Sequence, residues 1–259
     1  MKNATIELNA TINNNTIDSE LNRPVYNNGY CTKILRDRIR AAVAECTEDI
    51  MNGKPGAKKV SISIGNVKMG AIPSVSLPPY ITCPAACKGT CDGKCYAGKI
   101  CMLRKNVLKS YAKNLAIFQA DPDGFFKQVS TVSGLYRFFR FQVSGDILND
   151  RYFAGMVQCA IENNGTTYLA FTKRYNVVNK WIQENGELPK NLKILFSGWD
   201  NLEPVNPYNL PETTVFGTDR TPAPDPSWNI CGGNCTECSC RGCGCWKAEK
   251  GETIAFHIH

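Results

Sequence analysis

The sequence predicts an α/β fold with a mostly parallel sheet, on two observations. The second half of the chain alternates strand-like and helix-like stretches at intervals of roughly 20 to 30 residues, which is the pattern of βαβ units. Each strand-like stretch also ends in a small or polar cluster: Ser144-Gly145-Asp146, Thr172-Lys173-Arg174, Ser197-Gly198-Trp199-Asp200 and Gly217-Thr218-Asp219. At 259 residues the chain has the length of one α/β barrel or one doubly wound domain, so a single domain over residues 31–259 is expected.

Taken in order, residues 1–30 show no sustained periodicity and read as a disordered extension. From Leu35 to Met51 the residues Leu35, Ile39, Val43, Cys46 and Ile50 form one stripe at helical spacing, closed by Asn52-Gly53 and Pro55. "KKVSISIGNV" alternates as a strand, and a Pro- and Gly-marked loop follows it. Ile100, Leu103, Val107, Tyr111, Leu115 and Phe118 predict one long amphipathic helix. Then come strand "RFFRFQVSGD", helix "DRYFAGMVQCAIENNG", strand "TTYLAFTKR", helix "NVVNKWIQENG", strand "LKILFSGWD" and strand "TTVFGTD". In parallel architectures ligands gather at the carboxyl ends of the strands, where loops converge and helix N-termini present unpaired N–H groups. The polar clusters should therefore share one face.

No apolar run reaches the roughly 18 to 20 residues needed to cross a bilayer, and no apolar block marks a secretion signal, so a cytoplasmic protein is expected. In a reducing compartment, clustered cysteines serve metals or redox chemistry more often than disulfides. Of the 14 cysteines, ten fall in two runs. Cys83, Cys87, Cys91 and Cys95 stand at a constant interval of four; Cys231, Cys235, Cys238, Cys240, Cys243 and Cys245 crowd the second run. Thiolates this close repel one another unless a cation neutralises them. Nine of them are the candidate metal ligands: Cys83, Cys87, Cys91, Cys95, Cys231, Cys235, Cys238, Cys243 and Cys245. Cys235-X-X-Cys238 suits zinc as well as a cluster, whereas the first run, ending in an aromatic, looks more like an iron-sulfur loop. Cys31, Cys46 and Cys159 lie on apolar stripes as core residues, and Cys101 is open to either role.

The net charge of +7 is scattered, with one concentration at Lys99, Arg104, Lys105, Lys109 and Lys113. This basic helix over residues 99–113 is either a solvated face or a seat for nucleic acid.

At "TCPAACKGTCDGKCYA", "FRFQVSGDI", "YLAFTKRY", "ILFSGWD", "CTECSCRGCGCW" and "AFHIH", in that order, the chain resembles a family of phage and plasmid proteins named after phage gene product eighty-eight. The resemblance covers roughly residues 60–259 and carries over to Cys83, Cys95, Ser144 to Asp146, Phe171 to Lys173 and the cysteines from Cys231 to Cys245. The layout also resembles radical S-adenosylmethionine enzymes, which implies a partial or irregular β/α barrel with a 4Fe-4S cluster on the first cysteine loop. Here every gap in the run is three residues, where those enzymes use three then two, and no Gly-Gly-Glu-like stretch follows the next strand.

Three functions follow as expectations. In the first, one or two 4Fe-4S clusters, with S-adenosylmethionine as a further cofactor, serve an enzyme of phage or mobile-element type. Asp146, Lys173, Arg174, Asp200 and Asp219 handle its substrate, and Ser144, Gly145 and Ser197 its cofactor. The bland roles of these residues are helix caps, turns and surface charges. In the second, zinc staples a nucleic-acid-binding protein; in the third, two clusters make an electron carrier. His257 and His259 alternate on a C-terminal strand and face the same way.

Overall fold

The computed structural model describes residues 32–87, 90, 91, 95–199, 201–217, 222–233, 235 and 244–257. Eight strands form one mixed sheet: β1 (Ile62–Ser63), β2 (Ser74–Val75), β3 (Phe138–Phe141), β4 (Thr167–Thr172), β5 (Leu192–Ser197), β6 (Glu212–Phe216), β7 (Asn229–Ile230) and β8 (Thr253–His257). Their order is β1-β2-β3-β4-β5-β6-β8-β7. Only the β1–β2 pair is antiparallel. Among the described residues the helices are α1 (Thr32–Met51), α2 (Tyr96–Leu103), α3 (Lys105–Ala120), α4 (Pro122–Ser133), α5 (Asp150–Glu162), α6 (Tyr175–Asn185) and α7 (Gly244–Lys247).

The α/β expectation holds, and the sheet is open: it runs from edge β1 to edge β7 without closing on itself. Consecutive parallel strands that step in one direction with crossovers of one hand place all their helices on one face. The two packing clusters follow that rule. On one side Val75, Phe139, Phe141, Tyr168, Ala170, Ile194 and Phe196 pack with residues of α1, α3, α4, α5 and α6. Rings of Phe118, Phe125, Phe126 and Tyr152 meet there edge to face, with centroids as close as 4.9 Å. Each such contact adds about 0.5–1.5 kcal/mol beyond burial itself.

The opposite face carries Phe138, Leu169, Phe171 and Leu195, the alternate residues of β3, β4 and β5, together with Ile254 and Phe256 of β8. It is covered by Met69, Ile72 and the short segment Cys245, Trp246 and Ala248. Trp246 is 3 % exposed and meets Phe138 edge on at 5.0 Å.

Several elements differ from their expected bounds. The single long helix after Cys95 divides at Arg104, whose backbone is extended (φ −125°, ψ 94°) and ends α2 just as α3 begins. Helix α4, not expected, starts where Asp121 caps Gly124 N and Pro122 sets the first turn. The strand expected at "KKVSISIGNV" contracts to β1, and the cysteine loop instead follows β2. Cys46, Cys101 and Cys159 are buried among apolar side chains, which settles Cys101 as a core residue. The expected extension over residues 1–30, and Cys31, lie outside the described residues. No helix among the described residues is long and apolar enough to cross a membrane.

Candidate functional site at the carboxyl ends of the strands

The expected gathering of strand-end polar residues on one face is present for those described. β3 exits into Ser144-Gly145-Asp146, β4 into Lys173 and Arg174, and β5 into Gly198 and Trp199. The cysteine loop leaves β2 at the same end and is stitched to the others by backbone and side-chain hydrogen bonds. Leu77 N donates to Ser144 O at 3.1 Å. Asp146 N donates to Thr82 Oγ1 at 3.3 Å, and Arg174 Nη2 to Thr82 O at 3.3 Å. Gly145 sits at φ +76°, and a Cβ there would stand 2.5 Å from Thr82 Oγ1 and 2.9 Å from Leu77 O, so only glycine lets these loops meet.

Asp146 is 5 % exposed. Its carboxylate accepts from Ile147 N at 2.7 Å, Thr172 Oγ1 at 2.5 Å and Lys173 N at 2.9 Å. Burial nonetheless holds its carboxyl above the ordinary range, because desolvation outweighs these hydrogen bonds and the nearby Arg174 charge. Both oxygens are engaged by the chain itself, which makes Asp146 a residue that ties three loops together. Among the described residues, Ser144 Oγ and Arg174 Nε are buried without a hydrogen-bond partner.

Lys173 reaches out from β4: its Nζ donates to Ser197 Oγ at 2.7 Å and lies 5.9 Å from the Trp199 ring. Three participants were not singled out from sequence. Thr82 joins the loops as above. Tyr175 donates from its hydroxyl to Ser197 O at 2.5 Å, and burial pushes that hydroxyl well above its usual range. Arg140 sits with its guanidinium 4.7 Å from the Phe171 ring centre. The "RFFRF" alternation places Arg140 on the same face as Phe138, a legible signal for a cation on an otherwise apolar strand.

Beside these groups lies the first cysteine run. The Cys87 thiol sits between those of Cys83 and Cys91, and its hydrogen bonds with them, then its burial, hold it far above the usual thiol range. Cys91 is pulled down to about 6, chiefly by the hydrogen bond with Cys87, with Lys173 acting in the same direction against burial. Burial pushes Cys95 up to about 12, and the charges of Cys83 and Cys91 add to it. Cys95 also caps α2, accepting from Gly98 N at 3.4 Å. The next residue, Tyr96, leaves half its ring open to solvent while its hydroxyl donates to Val143 O, at the end of β3. So Cys83, Cys87 and Cys91 are joined by hydrogen bonds, and Cys95, Lys173 and Asp146 lie close enough for charge to act between them.

The donor set is the one an iron-sulfur cluster or a zinc ion takes, and crowded thiols are stabilised as thiolates by a bound cation. The residues present fit such a group in chemistry. Among the described residues, however, no three His, Cys, Asp or Glu side chains are already arranged as a metal-ion ligand set. Cys87 hydrogen-bonds to Cys83 and Cys91 instead, and Cys95 to the backbone N–H of Gly98.

Of the second run, Cys231 follows β7, its N–H donating to Ala255 O at 2.9 Å, and Cys235 N donates to Lys68 O at 2.7 Å. Cys245 is 4 % exposed, on the face opposite the main helices. Asp200, Asp219, Cys238, Cys243 and His259 lie outside the described residues. His257 ends β8 with its ring 4.5 Å from that of Phe216. The expected basic face is split between α2 and α3, and Lys109 pairs with Glu45 of α1 at 2.8 Å.

A family model described as Gene product 88 matches residues 47–245. No curated protein and no solved structure matches the chain.

Proposed function

This chain belongs to the Gene product 88 family, and we propose that it is a thiolate-ligated metalloprotein whose first cysteine run holds an iron-sulfur cluster at the working face of the sheet. The observation that carries this reading is the grouping of the buried Cys87 with the half-buried Cys83, Cys91 and Cys95 beside Lys173. Four thiols in that setting cannot all ionise without a cation, and a cation that binds them removes their mutual repulsion. When bound, the cluster supplies one-electron transfer. The chain's own residues supply the rest: Asp146 fixes the loop that carries the cysteines, Lys173 places a positive charge against Cys91, and Tyr175 and Ser197 form a polar wall.

A partial β/α barrel using S-adenosylmethionine is the finer form of this reading. The stepwise parallel order of β2 to β6, and the placement of the cysteine loop directly after the first parallel strand, support it. The gaps of three throughout the run set this chain apart from the enzymes that layout resembles. The second run, with Cys231, Cys235 and Cys245 on the face opposite the main helices, holds a second metal group in a structural role, keeping Trp246 seated on the sheet.

The test is anaerobic purification with iron, zinc and sulfide analysis and an absorption spectrum, on the native chain and on a Cys91→Ala, Cys95→Ala variant. Iron and sulfide in near-equal amounts, with a broad visible band that weakens in the variant, are expected. Zinc without sulfide would overturn the cluster reading and turn attention to nucleic acid as the partner.

A further inference from the structure

We infer that the same face carries a seat for an anionic group, a carboxylate or a phosphate, formed by Lys173, Arg140 and the Ser197 hydroxyl; the inference rests on reading this face as the working one. The argument begins with charge. The chain pairs many of its exposed cations with carboxylates on the outer surface: Arg151 with Asp123, Lys180 with Asp150, Lys250 with Glu187. Lys173 and Arg140 are half-buried, where an uncompensated charge is more costly, and among the described residues neither makes an ion pair.

What they do contact is weak or neutral. Lys173 has the Ser197 hydroxyl and the Trp199 ring. Arg140 has the Phe171 ring and the Met69 sulfur, the latter at 3.9 Å, with its Nε buried and, among the described residues, unpartnered. Asp146, the one acidic side chain among the described strand-end residues, has its oxygens taken by Thr172, Lys173 N and Ile147 N. It therefore has little left to neutralise either cation.

Both cations project to the face away from the main helices. Arg140 is opposite Leu169 in the β3–β4 ladder and leans over Phe171, and Lys173 lies two residues beyond Phe171 along the same chain. The cysteine loop borders this face: Tyr96, next to Cys95, donates its hydroxyl to Val143 O, and Val143 packs on the same side as Phe138 and Phe171. The thiols account for Lys173 in part. They do not account for Arg140, whose contacts are with an aromatic ring and a thioether. A planar guanidinium with a buried unused N–H, an ammonium and a hydroxyl form a donor set suited to the oxygens of a carboxylate or phosphate.

The experiment is calorimetric titration of inorganic pyrophosphate and, separately, succinate into the full chain as purified, at fixed ionic strength, with metal and sulfide content measured on the same samples. At least one probe should bind, with affinity falling tenfold or more in Lys173→Gln and in Arg140→Gln. Lys173→Arg should keep it, and Lys127→Gln, on the exposed side of α4, should leave it unchanged. Pyrophosphate alone would assign a phosphate, succinate alone a carboxylate. No binding of either probe, or an affinity in both Gln variants unchanged from that of the native chain, would overturn the seat. Full iron content with unaltered affinity in the Gln variants sinks the seat and leaves the cluster standing; Lys173-dependent binding in a chain without iron does the reverse.

Discussion

Asp146 and Thr172 meet through a 2.5 Å hydrogen bond from the threonine hydroxyl to the buried carboxylate, fastening the exit of β3 to the end of β4. The same carboxylate takes Lys173 N, and Thr172 Oγ1 accepts from Arg174 N at 2.9 Å, so one acid sets the backbone course from which both basic residues leave.

Asp146→Ala should destabilise the chain by about 3 kcal/mol, since each buried donor left without its acceptor costs roughly 1–3 kcal/mol. Asp146→Asn should cost less, because an amide oxygen still accepts. The pH dependence separates the two effects. Burial holds the folded carboxyl above its unfolded value, so the folded state binds more protons between those values, and stability falls as pH rises through that window. Urea denaturation across that range should show the fall in the native chain and a flatter profile in the Asn variant.

Gly145→Ala should lower stability by about 1–3 kcal/mol, combining left-handed backbone strain with a Cβ that meets Thr82 Oγ1 and Leu77 O. Thermal melting measures it. A melting temperature equal to that of the native chain would mean that the two loops do not meet as described.

Trp246→Ala should cost about 3–5 kcal/mol, the range for emptying a large aromatic site in a core, because its ring fills the sheet face opposite the main helices. Trp246→Phe should recover much of that loss. Denaturant midpoints of the pair report whether this segment is part of the cooperative core.

In the metal-free chain Cys91 should be alkylated before Cys95, with a midpoint near pH 6, while Cys95, held at about 12, stays protonated well above neutrality. The depressed value has a stability consequence. The folded thiolate contributes stability that is fully present above the unfolded thiol's ordinary pKa and is lost as pH falls through about 6. Iodoacetamide labelling at stepped pH, followed by peptide mass analysis, reads the order directly. Preferential labelling of Cys95 would be the contrary result.

Much of this architecture was legible in the local pattern. The alternation in "TTYLAFTKR" and "LKILFSGWD" marks β4 and β5, and the stripe from Leu35 to Ile50 marks α1, because one-sided burial imposes a period of two on a strand and 3.6 on a helix. β2 was missed, since two residues are too few to show a period. The break at Arg104 was missed because the apolar stripe continues through it, and the change lies only in the backbone. Helix α4 did have its signal in Asp121 and Pro122, a cap followed by a first-turn proline.

By itself the sequence determined the class of fold, the strand ends that carry polar residues, and the two cysteine runs whose crowding calls for a cation. Only the tertiary structure decided who meets whom. Thr82, Asp146 and Thr172 are far apart in the chain yet form one hydrogen-bonded group, and Trp246 closes a sheet face begun at Phe138. The physical reason is that periodicity records which side of an element is buried, whereas the partner on that side is set by strand order and register. Those follow from packing the whole chain at once.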